Sequence, residues 1–311
     1  MDLQSIQFQL NELMNDNSSG ASEFIDKAFE IIRTKLSQIN DSHKDIKSDV
    51  IYILKQIIET RPSMAPLINT MGYLISNLKQ FNKKYLEQKL VQFNIDRKKR
   101  IESLEVNFHK FYEQRKSKSF KIMLISYSST INNLLLKFKE FNFEIYVMES
   151  RPLLEGHQVA EILSSHFKTH LIIDAAMGNF IDEIDVVLIG VDSILKDGSI
   201  INKIGTLPLA LLANTRKIDV YAICDTFKYN LKSHYGYSVP ITEKPITEIY
   251  NKEITNNCLE VHNYYFDVTP PEYISGIISE LGVLSVPEFL KKVKKILPIE
   301  WFKYFIKNKE V

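Results

Sequence analysis

One stretch constrains this chain more than any other: Asp185-Val-Val-Leu-Ile-Gly-Val-Asp-Ser-Ile-Leu-Lys-Asp-Gly-Ser-Ile-Ile-Asn-Lys-Ile-Gly-Thr206. The apolar run from Val186 to Val191 is short and continuous, as a strand buried on both faces requires. It ends at Asp192, and in open parallel α/β sheets ligands bind outside the carboxyl ends of the strands. Lys196-Asp-Gly-Ser199 reads as a tight turn, because Asp-Gly supplies the positive φ that hairpins need. Asn202, Lys203, Gly205 and Thr206 then lead into a helix starting near Leu207-Pro208. A lysine, a glycine and a threonine before a helix N-terminus suit an anion site. The plainer alternative is a strand, a hairpin and a helix joined by ordinary loop residues.

Around this stretch the pattern alternates between strand and helix. Strands are expected at 120–126, 143–148, 170–173, 185–191 and 219–224. Helices are expected at 130–141, 154–167, 178–184, 207–215 and 273–281. Such alternation implies right-handed crossovers and a doubly wound parallel sheet. No Gly-x-Gly-x-x-Gly follows the first strand, so the sheet is expected to be Rossmann-like without a nicotinamide or flavin, and no cofactor is expected. Residues 237–257 lack periodicity and read as a surface loop.

Residues 1–118 read as a helical domain. Apolar residues recur at helical spacing in Ile6-Leu10-Leu13, in Phe24 to Leu36 and in Val50 to Ile58. Asn17-Ser-Ser-Gly20 is a break rich in capping residues, Arg61-Pro62 ends a helix, and 64–78 is another. From 80 to 114 the chain has no glycine or proline and should form one long helix with an apolar stripe. Its basic run, Asp96-Arg-Lys-Lys-Arg100, suits an acidic partner or, alternatively, a solvated helix face. The expected division is thus α/β: a helical domain at 1–118, a Rossmann-like domain at 119–285, and an extension at 286–311. The extension pairs an amphipathic basic helix over 287–297 with an aromatic segment carrying Trp301, which needs burial on the chain's own body or on a second copy.

Composition narrows the function classes. The net charge of +1 over 311 residues supplies no global field for nucleic acid or membrane, so neither is an expected partner. The two cysteines, Cys224 and Cys258, have no metal-ligand spacing and fit a reducing cytoplasm; no metal is expected. No apolar run reaches the length of a membrane span, and the first residues lack a signal-peptide pattern.

The segment Gly190 to Thr206 strongly resembles the signature of the superfamily that joins the alpha, beta and delta regulatory subunits of translation initiation factor 2B with two sugar-phosphate isomerases, acting on methylthioribose-1-phosphate and ribose-1,5-bisphosphate. Further pieces agree and fall in the family order: Arg61-Pro-Ser-Met64, Ser126-Tyr-Ser-Ser-Thr130, Glu149-Ser-Arg-Pro152, Asp174-Ala-Ala176, Thr226-Phe-Lys228 and Phe266-Asp-Val-Thr-Pro-Pro-Glu272. The resemblance covers about residues 19–285, and the short single chain points to an archaeal alpha-like subunit.

This resemblance implies a site. In the isomerases a cysteine after the first Rossmann strand and an aspartate after the later strand shuttle protons. Asp192 matches that aspartate, whereas Tyr127 stands at the cysteine position. A tyrosine hydroxyl titrates near 10 and a thiol near 8.5, and the ring is far larger, so the cysteine-dependent mechanism is expected to be broken. The phosphate side is expected to be partly retained. Arg151, Asn202, Lys203 and Lys228 match positions that hold the sugar phosphate. Gly20, Ala21 and Ser22 match a phosphate loop whose arginine is replaced by Ser19. Arg61, Ser128 and Ser129 complete the expected ligand-binding set. The structural alternative pairs Lys203 and Arg151 with Asp192, Glu149 or Asp174.

Two functions follow as expectations. The first is a non-catalytic regulatory subunit that binds a sugar phosphate or nucleotide and the alpha subunit of initiation factor 2. The second is a divergent ribose-1,5-bisphosphate isomerase of nucleoside salvage. A homodimer, assembling further or not, is expected from the family.

Overall fold

In the computed structural model, residues 3–16, 20–38, 46–62, 64–76, 81–115, 119–252 and 258–297 are described. Five helices come first: α1 (Leu3–Asn15), α2 (Ala21–Gln38), α3 (Ile46–Thr60), α4 (Ala65–Leu74) and α5 (Lys83–Glu113). The strands are β1 (Phe120–Ile125), β2 (Phe143–Met148), β3 (Lys168–Ile172), β4 (Val186–Ile189), β5 (Ser193–Ile194), β6 (Ile200–Lys203), β7 (Asp219–Ile223), β8 (Phe266–Thr269), β9 (Gly276–Ser279) and β10 (Gly282–Leu284). Between and after them lie α6 (Ser129–Lys137), α7 (Glu155–Ser164), α8 (Met177–Phe180), α9 (Thr206–Thr215), α10 (Leu231–His234) and α11 (Val286–Ile296).

Seven strands form one sheet in the order β10-β9-β7-β4-β1-β2-β3. All pairs are parallel except the terminal β10–β9 hairpin. All four residues of β4 are buried, as its uninterrupted apolar sequence demands. A smaller antiparallel sheet, β5-β6-β8, stands beyond the end of β4. It is created by the Asp197-Gly198 turn, where Gly198 takes φ +95°.

The long helix α5 ties the helices to the sheet. Asn82 caps it by accepting the Tyr85 N–H at 2.8 Å. Its first turns bury Leu86, Leu90 and Phe93 in a core shared with α1–α4 and one side of the sheet. Its later turns bury Leu104, Phe108 and Phe111 in a second core on β1 and β2. α11 closes the first core: Val286, Phe289 and Val293 are buried, and Glu288 accepts the Ser285 N–H at 3.0 Å as a capping box. The aromatic segment with Trp301 and the break at 17–19 lie outside the described residues. Among the described residues no helix is long and apolar enough to cross a membrane.

One expected element is corrected. Residues 273–281 do not form a helix: a short turn at Pro271–Tyr273 leads into strand β9. The β-branched pair Ile277-Ile278 fits a fully buried parallel strand beside β7, and both are buried. The strand β8, Phe266–Thr269, is also absent from the sequence reading; its burial is partial, so it lacks a core-strand pattern. Residues 237–252 hold only a short turn at Ile246–Glu248.

The β9 assignment predicts a sign. A Cβ on Gly276 would lie 2.8 Å from the Tyr221 ring and 2.9 Å from the Leu284 carbonyl oxygen. Gly276→Ala should therefore destabilise the protein by about 1–3 kcal/mol through overpacking. In a helix the same change would stabilise it by up to about 1 kcal/mol. Urea denaturation of the two proteins decides between the signs.

Candidate functional site

From β1 the sheet grows one way through β2 and β3, and the other way through β4, β7 and β9. The strand order reverses there, and a crevice opens at the carboxyl ends of β1 and β4. Ser126 and Tyr127 follow β1, and Gly190 to Asp192 follow β4. A Cβ on Gly190 would stand 3.2 Å from the Ser128 Cβ, so a small residue lets these two loops approach.

The loop after β1 is braced by the loop after β2. Ser126 and Ser150 both take left-handed backbone, at φ +68° and +65°. The Ser126 N–H donates to Ser150 Oγ at 2.8 Å. The N–H groups of Ser150 and Arg151 donate to the Asp174 carboxylate, each at 2.8 Å. α7 presses against the end of β2 because Gly156 has no side chain: a Cβ there would lie 1.9 Å from the Met148 carbonyl oxygen. That approach sets Glu155, in the first turn of α7, beside the crevice. Ser126 Oγ donates to Glu155 at 2.8 Å, and Lys203 Nζ lies 2.8 Å from the same carboxylate.

A cleft of about 660 Å³ results. It gathers six of the expected residues, Gly20, Ala21, Arg61, Tyr127, Asp192 and Lys203. Burial raises the Asp192 carboxyl above the usual aspartate range; Lys228, Arg61 and Lys203 oppose the shift, while Glu155 adds to it. Arg61 donates to the Asp16 carbonyl and lies 4.1 Å over the Phe24 ring; burial lowers its pKa. Cys224 is fully enclosed, with burial pushing its thiol well up, and Cys258 is exposed. Neither lines the cleft. Among the described residues no cluster of His, Cys, Asp and Glu could hold a metal.

The remaining expected residues lie elsewhere. Ser22 and Ser129 line a neighbouring cavity of about 380 Å³ between α2, α5 and α6, which shares Gly20 and Tyr127 with the cleft. Ser128 caps α6, accepting the Ile131 N–H at 3.3 Å. Asn202 is buried and donates to Thr206 Oγ1 at 3.0 Å, so its amide is taken up by the loop it belongs to. Arg151 is exposed and does not line the cleft. Lys228 lines a third, small cavity with Arg97 and Arg100. Ser19 lies outside the described residues.

Sequence reasoning missed Glu155, the actual partner of Lys203 in place of Asp192, Glu149 or Asp174. It is set by the approach of α7 to β2, which no spacing in the sequence announces. It also missed Tyr265, whose ring centroid is 5.4 Å from Lys203 Nζ.

Known proteins resemble this chain along most of its length. A family model described as the initiation factor 2 subunit family matches residues 18–286. The ribose 1,5-bisphosphate isomerase of Archaeoglobus fulgidus is 29% identical over 251 residues, covering 78% of each chain. A putative translation initiation factor eIF-2B subunit 2-like protein of Pyrococcus horikoshii is 27% identical over 282 residues, covering 89% of this chain and 95% of its own. A crystal structure titled as the Pyrococcus horikoshii translation initiation factor eIF-2B superposes with a TM-score of 0.78 at 25% identity, over 93% of this chain and 100% of that one. The 5-methylthioribose 1-phosphate isomerase of the same organism shares the fold, with a TM-score of 0.73 at 20% identity, over 94% of this chain and 88% of that one.

The loop after Lys203 carries a titration. Asp267 accepts the Gly205 N–H at 2.8 Å and the Leu207 N–H at 3.1 Å, pinning the start of α9. Its other carboxylate oxygen is buried without a hydrogen-bond partner among the described residues. Burial outweighs the backbone N–H groups of Leu207, Gly205 and Thr206 and raises its pKa from 3.8 to about 6. The folded state therefore holds this proton more tightly than the unfolded chain does. That contribution is complete below the unfolded value and is lost as pH rises through the folded one. Asp267→Asn carries no such titration. Between pH 4 and about 6, the stability of the wild type should fall relative to Asp267→Asn by on the order of 2 kcal/mol. Parallel stability curves for the two proteins across that range would contradict the assignment.

Proposed function

The chain belongs to the initiation factor 2 subunit family, and from that premise we propose that it is a non-catalytic regulatory member, which holds a phosphorylated small molecule at the Asp192 cleft without converting it. One observation carries this reading: Tyr127 lines the cleft beside Asp192, at the position the resemblance assigns to the isomerase cysteine, and no cysteine lines it. Aldose–ketose conversion moves a proton between two carbons and needs an acid and a base in reach of both. Asp192 is suited to half of that exchange. Tyr127 offers no thiol for the other half, and its ring fills space a cysteine would leave open.

The family also motivates the partners. The alpha subunit of initiation factor 2 is the proposed macromolecular partner, in the cytoplasm, and a second copy of the chain is the other. Leu171 and Ile173 are exposed at the β3 edge of the large sheet, as a face covered by a second copy would be.

The purified protein should show no turnover of ribose 1,5-bisphosphate in an aldose–ketose assay. The same compound should raise its melting temperature, because a ligand that binds only the native state stabilises it. Turnover at even about 1 s⁻¹, within the ordinary enzyme range, would overturn the non-catalytic reading. Tyr127→Cys restores a thiol beside Asp192, and turnover in that variant alone would locate the lost chemistry at this position.

A further inference from the structure

The cleft is a poor place for a phosphate. Its walls carry four carboxyl groups, Asp16, Glu155, Glu161 and Asp192, against the cations Arg61 and Lys203. Lys203 is already engaged by Glu155 at 2.8 Å, and Arg61 by Asp16. The balance reverses in the small cavity next to it, between α2, α4 and α5 and the turn after β7. There Arg97, Arg100 and Lys228 stand against Asp225 alone. Counting Asp26 as well, which pairs with Arg97 from outside the cavity at 2.8 Å, the charge stays positive.

Three polar atoms on this cavity's lining side chains are buried without a hydrogen-bond partner among the described residues: Arg97 Nη1, Arg100 Nη2 and Thr70 Oγ1. Each guanidinium is held by a carboxylate at another of its nitrogens. Asp26 takes Arg97 Nη2 at 2.8 Å, and Asp225 takes Arg100 Nε at 3.1 Å. The Phe227 ring lies 4.2 Å from the Arg100 guanidinium carbon, fixing its plane. Leaving a buried charged donor unsatisfied is costly, and Arg forks match the oxygens of a phosphate. The space is about 60 Å³, several times the 10–15 Å³ or so that one water needs.

We propose that this cavity is an oxyanion subsite: Arg97, Arg100, Thr70 and Lys228 take the phosphate group of the ligand, whose remainder extends past Ala21 into the Asp192 cleft. Ala21 lines both spaces, and Lys228 acts on the ionisation of Asp192. The phosphate anchor therefore comes from the long helix α5, at Arg97 and Arg100, one turn apart on one face. The exposed Lys98 and Lys99 between them point away from it. This rests on the phosphorylated-ligand reading above and places that ligand's charge.

The test is titration calorimetry with ribose 1,5-bisphosphate and with inorganic phosphate on the wild type and on Arg97→Gln, Lys228→Gln and Lys203→Gln. Melting curves without ligand establish that each variant is folded. Arg97→Gln and Lys228→Gln should each weaken binding of both probes about tenfold or more, as loss of a charge-assisted hydrogen bond does. Lys203→Gln should change inorganic phosphate binding less than threefold. If the wild type binds the probes and both Arg97→Gln and Lys228→Gln bind equally well, the subsite is overturned while the function reading stands. If the wild type binds neither probe, both fall.

Discussion

The burial of β4 between β1 and β7 is the constraint on which the rest depends. A strand that is apolar on every residue has to be covered on both faces, so helices must pack above and below the sheet. Its carboxyl end then becomes the point where the chain leaves the sheet into a polar hairpin. With β1 leading to β2 on one side and β4 beside it on the other, a crevice lies at their ends. Asp192, Tyr127 and the small sheet β5-β6-β8 are all consequences of that placement.

What turns the crevice into a site is its outer wall, supplied by helices. α5 contributes to both cores, with Phe93 in one and Phe108 in the other. It therefore holds the α1–α4 bundle in a set position over the sheet. The first turn of α2 is carried to the crevice by this packing, and Arg61 with it. The same helix turns two arginines inward. Half-burying them is tolerable because an aspartate takes one nitrogen of each guanidinium, and a buried nitrogen of each is left for an anion.

The electrostatics of the cleft divide the site in two. Around Lys203 the charges are internally paired, and the carboxylates outnumber the cations. Around Lys228 the cations prevail. Asp192 sits between, with burial raising its pKa and the cations on both sides opposing the shift. A ligand with a charged end and a neutral end is oriented by such a gradient. Tyr127 lines the same cleft as Asp192.

Local pattern alone determined much of this protein. Continuous apolar runs marked β1, β2, β4 and β7, because a buried strand leaves no room for polar residues. The 3.6-residue period marked α2, α3 and α5, and the family motifs marked Asp192 and Tyr127. Over 273–281 the apolar residues Ile274, Ile277, Ile278 and Leu281 stand at the i, i+3, i+4, i+7 spacing of a helix, yet Gly276–Ser279 is a strand. Only the vacant edge of β7 decided for the strand. Contacts between distant segments were likewise invisible. Glu155 meets Lys203 because Gly156 lets α7 touch β2. Lys228 faces Arg97 and Arg100 because α5 crosses the turn after β7. The basic run of α5 reads as a solvated face in one dimension. Packing splits it: Lys98 and Lys99 are exposed, whereas Arg97 is half-buried against Asp26, and Arg100 against Asp225 and the Phe227 ring.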